Sequence, residues 1–177
     1  MFVWVGINVE DQLKDVRGAV DNVFEKIDIS NVTCQLPLHI SLKISFEIEN
    51  LLFDSVLNDI TDIYKAQNPF EISVKGIEKH QNIAWIRMHS NENIERLSTD
   101  LNKMLLDKYD IPLHEYDLDF IFHTTLFMDD DAEKINTAHH LLGDVKLSEN
   151  LVANTFVVGT SETGAPGTYR VYKTVEI

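Results

Sequence analysis

Apolar and polar positions alternate in two rhythms along the chain, one of period two and one of helical period, and together they predict an α+β order of elements. Residues 2–9 open with Phe2-Val3-Trp4-Val5-Gly6-Ile7 and read as a first strand. Leu13, Val16, Val20, Val23, Phe24 and Ile27 recur at helical spacing and predict a helix over residues 11–26. A strand follows after Pro37, whose missing N–H is tolerated at a strand start. Leu52, Val56, Ile60 and Ile63 form one stripe of a second helix over residues 50–67, ended by Asn68-Pro69. Strands are predicted over residues 70–78 and 83–89, joined by the polar turn Lys79-His80-Gln81-Asn82. Ile94, Leu97, Leu101, Met104 and Leu105 mark a third helix over residues 91–108. A further strand surrounds residues 122–126. Asp129-Asp130-Asp131 opens a fourth helix, where negative charge favours the N-terminus. Two closing strands over residues 155–160 and 169–176 flank the loop 161–167, which lacks the Gly-Lys-Ser/Thr ending of a phosphate-binding loop.

Within this pattern two strings share one design: Leu38-His39-Ile40-Ser41-Leu42 and Phe122-His123-Thr124-Thr125-Leu126. Composition alone gives about 0.08 expected His-x-Ser/Thr-Leu matches, so two arise by chance roughly three times in a thousand. Strict alternation places His39 and Ser41 on one face, with Leu38, Ile40, Leu42, Ile44 and Phe46 on the other. In the second string His123 and Thr125 lie opposite Phe122, Thr124, Leu126 and Met128. The two strings stand 84 residues apart and each precedes a predicted helix, so the chain reads as two similar α+β halves sharing one cleft. No linker separates them, and residues 1–177 are expected to form one bilobed domain.

Composition narrows the chemistry. The chain of 177 residues is 44% hydrophobic and 25% charged, as globular domains are. Its 29 acidic residues outnumber 15 basic ones, for a net charge of −14 with no Lys/Arg cluster. That disfavours tracking of long nucleic acid, where phosphate contacts dominate affinity. A small nucleotide phosphodiester or an RNA terminus remains. The single cysteine, Cys34, excludes an internal disulfide and reads as a small strand hydrophobe in a reducing cytoplasm. No stretch reads as a leader or a membrane span, and the expected form is a cytoplasmic monomer.

At the two strings the chain resembles the 2H (two-histidine) phosphoesterase superfamily, in its LigT-like, 2′-5′ RNA ligase-like branch. His39-Ile40-Ser41-Leu42 and His123-Thr124-Thr125-Leu126 match that family's paired motifs. The resemblance implies a bilobed, pseudo-twofold α+β fold with two antiparallel sheets facing a central cleft and helices outside. It implies hydrolysis of 2′,3′-cyclic phosphates, 2′,5′-linked phosphodiesters or cyclic ADP-ribose phosphate, or ligation at RNA ends, without choosing among them. Several RNA-end-processing relatives carry an arginine shortly after the second motif. Here Phe127, Met128 and Asp129 follow, and no basic residue appears until Lys134.

Two histidines that titrate near neutrality can take a proton from water and give one to a leaving sugar oxygen, with no metal or cofactor required. His39 and His123 are therefore the catalytic candidates. Ser41 and Thr125 are the candidate substrate-binding donors, aimed at the non-bridging phosphate oxygens. The strings are equivalent in sequence, so which histidine is base and which is acid stays open. Lys43 falls on the motif face by alternation and is available to a phosphate or to solvent. Tyr109, Tyr116, Phe127 and Tyr169 are available to stack on a base. His80, His89, His114, His139 and His140 show no metal-ligand spacing. Two other readings stand beside the cyclic phosphodiesterase: 2′,5′-phosphodiester cleavage or ligation at RNA ends, and a non-catalytic nucleotide-binding module.

Overall fold

The computed structural model describes all 177 residues, with eight strands and four helices. The strands are β1 (Phe2–Asn8), β2 (His39–Glu47), β3 (Phe70–His80), β4 (Ile83–Met88), β5 (His123–Met128), β6 (Asn150–Ala153), β7 (Thr155–Ser161) and β8 (Arg170–Glu176). The helices are α1 (Lys14–Lys26), α2 (Phe53–Lys65), α3 (Glu92–Tyr109) and α4 (Ala132–Leu142). Two antiparallel four-stranded sheets result, in the orders β2-β1-β7-β8 and β5-β4-β3-β6. α2 and α3 pack together over the first sheet, while α4 packs over the second beside α1. One apolar cluster of 39 buried residues runs through both.

Two of the four helices start where a side chain serves the free N–H groups of the first turn. Asn91 accepts from the backbone of Asn93 and Ile94 at the head of α3, and Asp131 accepts from Glu133 at the head of α4. Expected helices over 11–26 and 50–67 each begin instead with a short 3₁₀ turn, Glu10–Leu13 and Asn50–Leu52, before the α-helix. β6 carries no long alternating run of its own and was not expected. Its four residues exist as a strand because they pair with Phe70–Ser73 of β3 and bury Leu151 and Ala153.

Both motif strands lie at sheet edges, and the two edges meet: the backbone N–H of His39 donates to the Thr124 hydroxyl at 3.1 Å. Both also contain a bulge at the same place. Along β1–β2 the register steps from Gly6 opposite Ser41 to Val5 opposite Lys43, leaving Leu42 as an extra residue. Along β4–β5 it steps from Trp85 opposite Thr125 to Ala84 opposite Phe127, leaving Leu126 extra. An inserted residue moves the side chains that follow it to the other face until the register steps again, as it does in β2 between Lys43 and Phe46.

Strict alternation therefore fails after each hydroxyl. Leu42 and Lys43 both turn inward, as do Leu126 and Phe127, whereas Ile44 and Met128 are only partly covered. Lys43 is thus neither a phosphate contact nor a solvated lysine: it is 2% exposed, with Nζ 2.7 Å from Asp117 and 2.8 Å from Asn102. Phe127 is fully buried against Phe24 and is no stacking platform. Cys34, expected in a strand, lies exposed in the turn Val32–Gln35.

Asp117 also accepts from the backbone of Ile44 and His114, so this buried pair ties the segment leading into β5 onto β2. Removing one partner of a buried ion pair leaves an uncompensated charge and typically costs about 3–5 kcal/mol. Lys43→Ala should therefore lower the unfolding free energy in urea by about that much, and Lys43→Met with Asp117→Leu should cost less than the two single changes summed. A Lys43→Ala protein within about 1 kcal/mol of the parent would show that the pair does not hold the segment.

Candidate active site

The site is built where β2 and β5 come together. In each strand the histidine stands at the first residue and is half-buried. Each ring nitrogen Nδ1 lies 2.7 Å from the carbonyl oxygen two residues earlier: Pro37 for His39 and Ile121 for His123. A carbonyl only accepts, so in the neutral ring Nδ1 carries the proton and donates it, which leaves Nε2 as the proton acceptor. The same local bond thus sets the same tautomer in both halves.

Burial pushes the His39 pKa down to about 4; the Pro37 bond opposes this, and the nearby charges of His123 and Arg17 add to it. The His123 pKa is also held below 6.5, again by burial, against the Ile121 bond. Desolvation disfavours the charged imidazole, so both rings are neutral at pH 7 in the unliganded protein. Glu10 anchors the approach to His39. It binds Arg17 through two N–H···O contacts of 2.8 and 2.9 Å and accepts from the Leu38 backbone at 2.5 Å. Arg17 further donates to the Leu36 carbonyl. Arg17, whose charge His39 feels, is therefore already satisfied.

Ser41 and Thr125 both lie ahead of their bulge and remain partly exposed, on their histidines' faces. The structure thus brings all four expected residues to the junction of the two sheets. It adds side chains that the sequence reading missed. Trp4 packs edge-on against His39 with ring centres 4.1 Å apart, and Trp85 lies 4.5 Å from His123. Arg87 is the register partner of His123 and shares its face. Its guanidinium rests 3.2 Å from Glu78. A cation thus stands beside the second motif although none follows it in sequence. The signal for Trp4 was present, since in Trp4-Val5-Gly6 a large and an absent side chain share one strand face.

The other aromatic candidates stay away from this junction. Tyr109 donates to Asp59, Tyr169 shares a hydrogen bond with Ser45, and Tyr116 stands exposed beside His114. A concavity of about 450 Å³ lies farther along β2, between residues 43–49 and 109–114, and includes none of the four motif side chains. Nowhere do three or more His, Cys, Asp or Glu side chains gather as a metal site. No helix is long and apolar enough to cross a membrane.

Solved structures share the fold over nearly the whole length. TT0787 of Thermus thermophilus matches with a TM-score of 0.63 at 13% identity, covering 99% of this chain and 97% of that one. Escherichia coli LigT in its apo form matches at 0.60 and 15%, covering 99% and 96%, and LigT has also been crystallised with 3′-AMP and with phosphate. Usb1 of Kluyveromyces marxianus matches at 0.50 and 11%, covering 99% and 98%. A search of curated protein sequences gave no match. A scan against protein-family models matches residues 33–160, a span that contains both histidine motifs, and on that match the chain belongs to the 2′-5′ RNA ligase superfamily.

Proposed function

We propose that residues 1–177 act as one bilobed, metal-independent phosphodiesterase that opens cyclic phosphates of small nucleotides or RNA ends. The observation that carries this reading is the twin tautomer lock: two imidazoles at one junction, each with Nδ1 committed to a backbone carbonyl and Nε2 left for proton transfer. A module that only binds nucleotides has no use for such a pair. The crystallisation of LigT with 3′-AMP and phosphate supports the ligand class.

His39, the more strongly depressed of the two, serves as the general base, and His123 as the general acid. A water attacks phosphorus and gives its proton to His39 Nε2. The bond from phosphorus to the 2′ or 3′ sugar oxygen breaks, and His123 Nε2–H protonates that oxygen, leaving a phosphomonoester. Ser41 and Thr125 donate to the non-bridging oxygens, where charge grows in the transition state. Arg87 can leave Glu78 to meet a second anionic group on the His123 side. The anionic substrate stabilises the imidazolium that the acid must become before it reacts.

Turnover of 2′,3′-cyclic AMP, a 2′,5′-linked dinucleotide and ADP-ribose cyclic phosphate, measured with EDTA present, tests the reading. Opening of a cyclic phosphate at full rate in chelator is expected; activity that EDTA abolishes and Zn²⁺ or Mn²⁺ restores points to metal chemistry instead. Preference for the 2′,5′-linked substrate would shift the assignment to that branch.

The pH profile has a defined sign. kcat/KM requires neutral His39, so it falls as pH drops through about 4. It also requires protonated His123, so it falls again as pH rises through a value below 6.5. The optimum for kcat/KM therefore lies on the acid side of 6.5, and the alkaline limb of kcat lies at higher pH, because bound phosphate raises the acid's pKa. A profile rising monotonically to pH 9 would contradict these roles.

Ser41→Ala or Thr125→Val each removes a donor worth on the order of 3 kcal/mol in the transition state, so each should lower turnover about a hundredfold with the fold retained. His39→Ala and His123→Ala should each cost at least about a hundredfold, and the double change far less than the product. Near-full activity in both hydroxyl variants, with unfolded histidine variants, would make the motif strands structural.

A further inference from the structure

Each motif histidine leans on a tryptophan from the neighbouring strand, and the acid–base scheme uses neither indole. An indole lying flat on a sheet needs cleared space, and two glycines provide it. A Cβ on Gly159, the register partner of Trp4, would come within 2.6 Å of the ring, and one on Gly6 within 3.0 Å. Trp4 thereby lies 6% exposed, edge-on to His39, with Nε1 3.1 Å from Ser41 Oγ.

The direction of that hydrogen bond is fixed by chemistry. An indole N–H can only donate, whereas a serine hydroxyl can rotate to donate or accept. Ser41 Oγ therefore accepts from Trp4 and keeps its own proton. The Trp4 indole is the one protein group hydrogen-bonded to that hydroxyl, so the proton is left to whatever lies on the His39 face. The second lobe differs. Trp85 stands opposite Thr125 in the β4–β5 register, yet its Nε1 is buried with no acceptor, and the Thr125 side chain forms no hydrogen bond within the protein.

We infer that Trp4 is a positioning residue that commits the Ser41 hydroxyl to act as a donor toward a substrate phosphate oxygen while its ring edge holds His39 in place. The two lobes, alike in motif, then differ in preparation. The Ser41 donor is set before substrate arrives, and the Thr125 donor is set only by what it meets. This rests on the reading that Ser41 faces phosphate.

A double-mutant cycle with a readout beside it tests the inference. Trp4→Phe keeps an aromatic ring in the space cleared by the glycines and deletes the N–H. On 2′,3′-cyclic AMP it should lower kcat about five- to tenfold, the worth of one ordinary hydrogen bond, with KM changed less than about twofold. In a Ser41→Ala background the same change should cost less than about twofold, because its route of action is gone. Trp85→Phe, which deletes an N–H with no partner, should cost less than Trp4→Phe.

In parallel, ¹⁵N-indole spectra of the otherwise native protein follow the Trp4 N–H directly. Ser41→Ala should move that resonance upfield and speed its exchange, and inorganic phosphate should perturb it in the parent protein but not in Ser41→Ala. Unchanged kcat in Trp4→Phe, an equal loss in the Ser41→Ala background, or an indole resonance indifferent to Ser41→Ala each overturns the inference. A parent protein that turns over none of the cyclic substrates overturns the hydrolase reading instead, and the indole response to Ser41→Ala and to phosphate still decides the role of Trp4.

Discussion

Side chains on a strand must alternate faces unless the backbone takes in an extra residue, and the site depends on one such residue in each motif strand. Ahead of the bulge, histidine and hydroxyl point to the same side for two alternate positions. Behind it, Lys43 and Phe127 turn inward. The polar stripe is thereby limited to the histidine and the hydroxyl, and the next side chain anchors the strand from below. In the first strand that anchor is a buried ion pair to the segment feeding β5; in the second it is a ring packed on Phe24 from α1. Had alternation continued, an ammonium group and a phenyl ring would stand beside the hydroxyls, and neither strand would be fastened at that point.

The proposed phosphate chemistry, in a chain of net charge −14, requires local rather than global compensation. The cations close to the histidines do not supply it in the unliganded protein, because Arg17 is held by Glu10 and Arg87 by Glu78. Burial removes charge from both imidazoles as well. What remains is a set of neutral donors and a pair of proton acceptors. In the proposed reaction such a site gains positive charge only as the anion enters and one imidazole takes up a proton. Small monovalent phosphodiesters suit that arrangement better than the long polyanions that the acidic surface repels.

Element order, the helix stripes and the four motif residues were legible in the sequence because each rests on local periodicity. The remainder rests on pairing between distant residues. The bulges at Leu42 and Leu126 exist only relative to β1 and β4, so the inward turn of Lys43 and Phe127 leaves no mark in their own strings. β6 is a strand because β3 offers it an edge. Arg87 reaches the face of His123 from 36 positions earlier, which is why the chain between Thr125 and Lys134 gave a misleading picture of the local charge. Trp4 was visible as an alternating strand residue, but its berth needs Gly159 from β7.

Sequence symmetry made the two histidines interchangeable; their surroundings do not. His39 is flanked by the edge of Trp4, lies close to the Arg17–Glu10 pair and gives its backbone N–H to Thr124. His123 sits opposite Arg87, above an indole whose N–H has no partner. A general base works best neutral and held still, and a general acid works best where a proton is least costly to keep. The more strongly desolvated ring, held by the edge of Trp4, fits the first role, and the ring opposite Arg87, beside a Thr125 hydroxyl with no partner in the protein, fits the second, where an incoming anion decides when it is charged. Two copies of one local design thus acquire different surroundings, and in the proposed reaction opposite duties, from residues that neither motif contains.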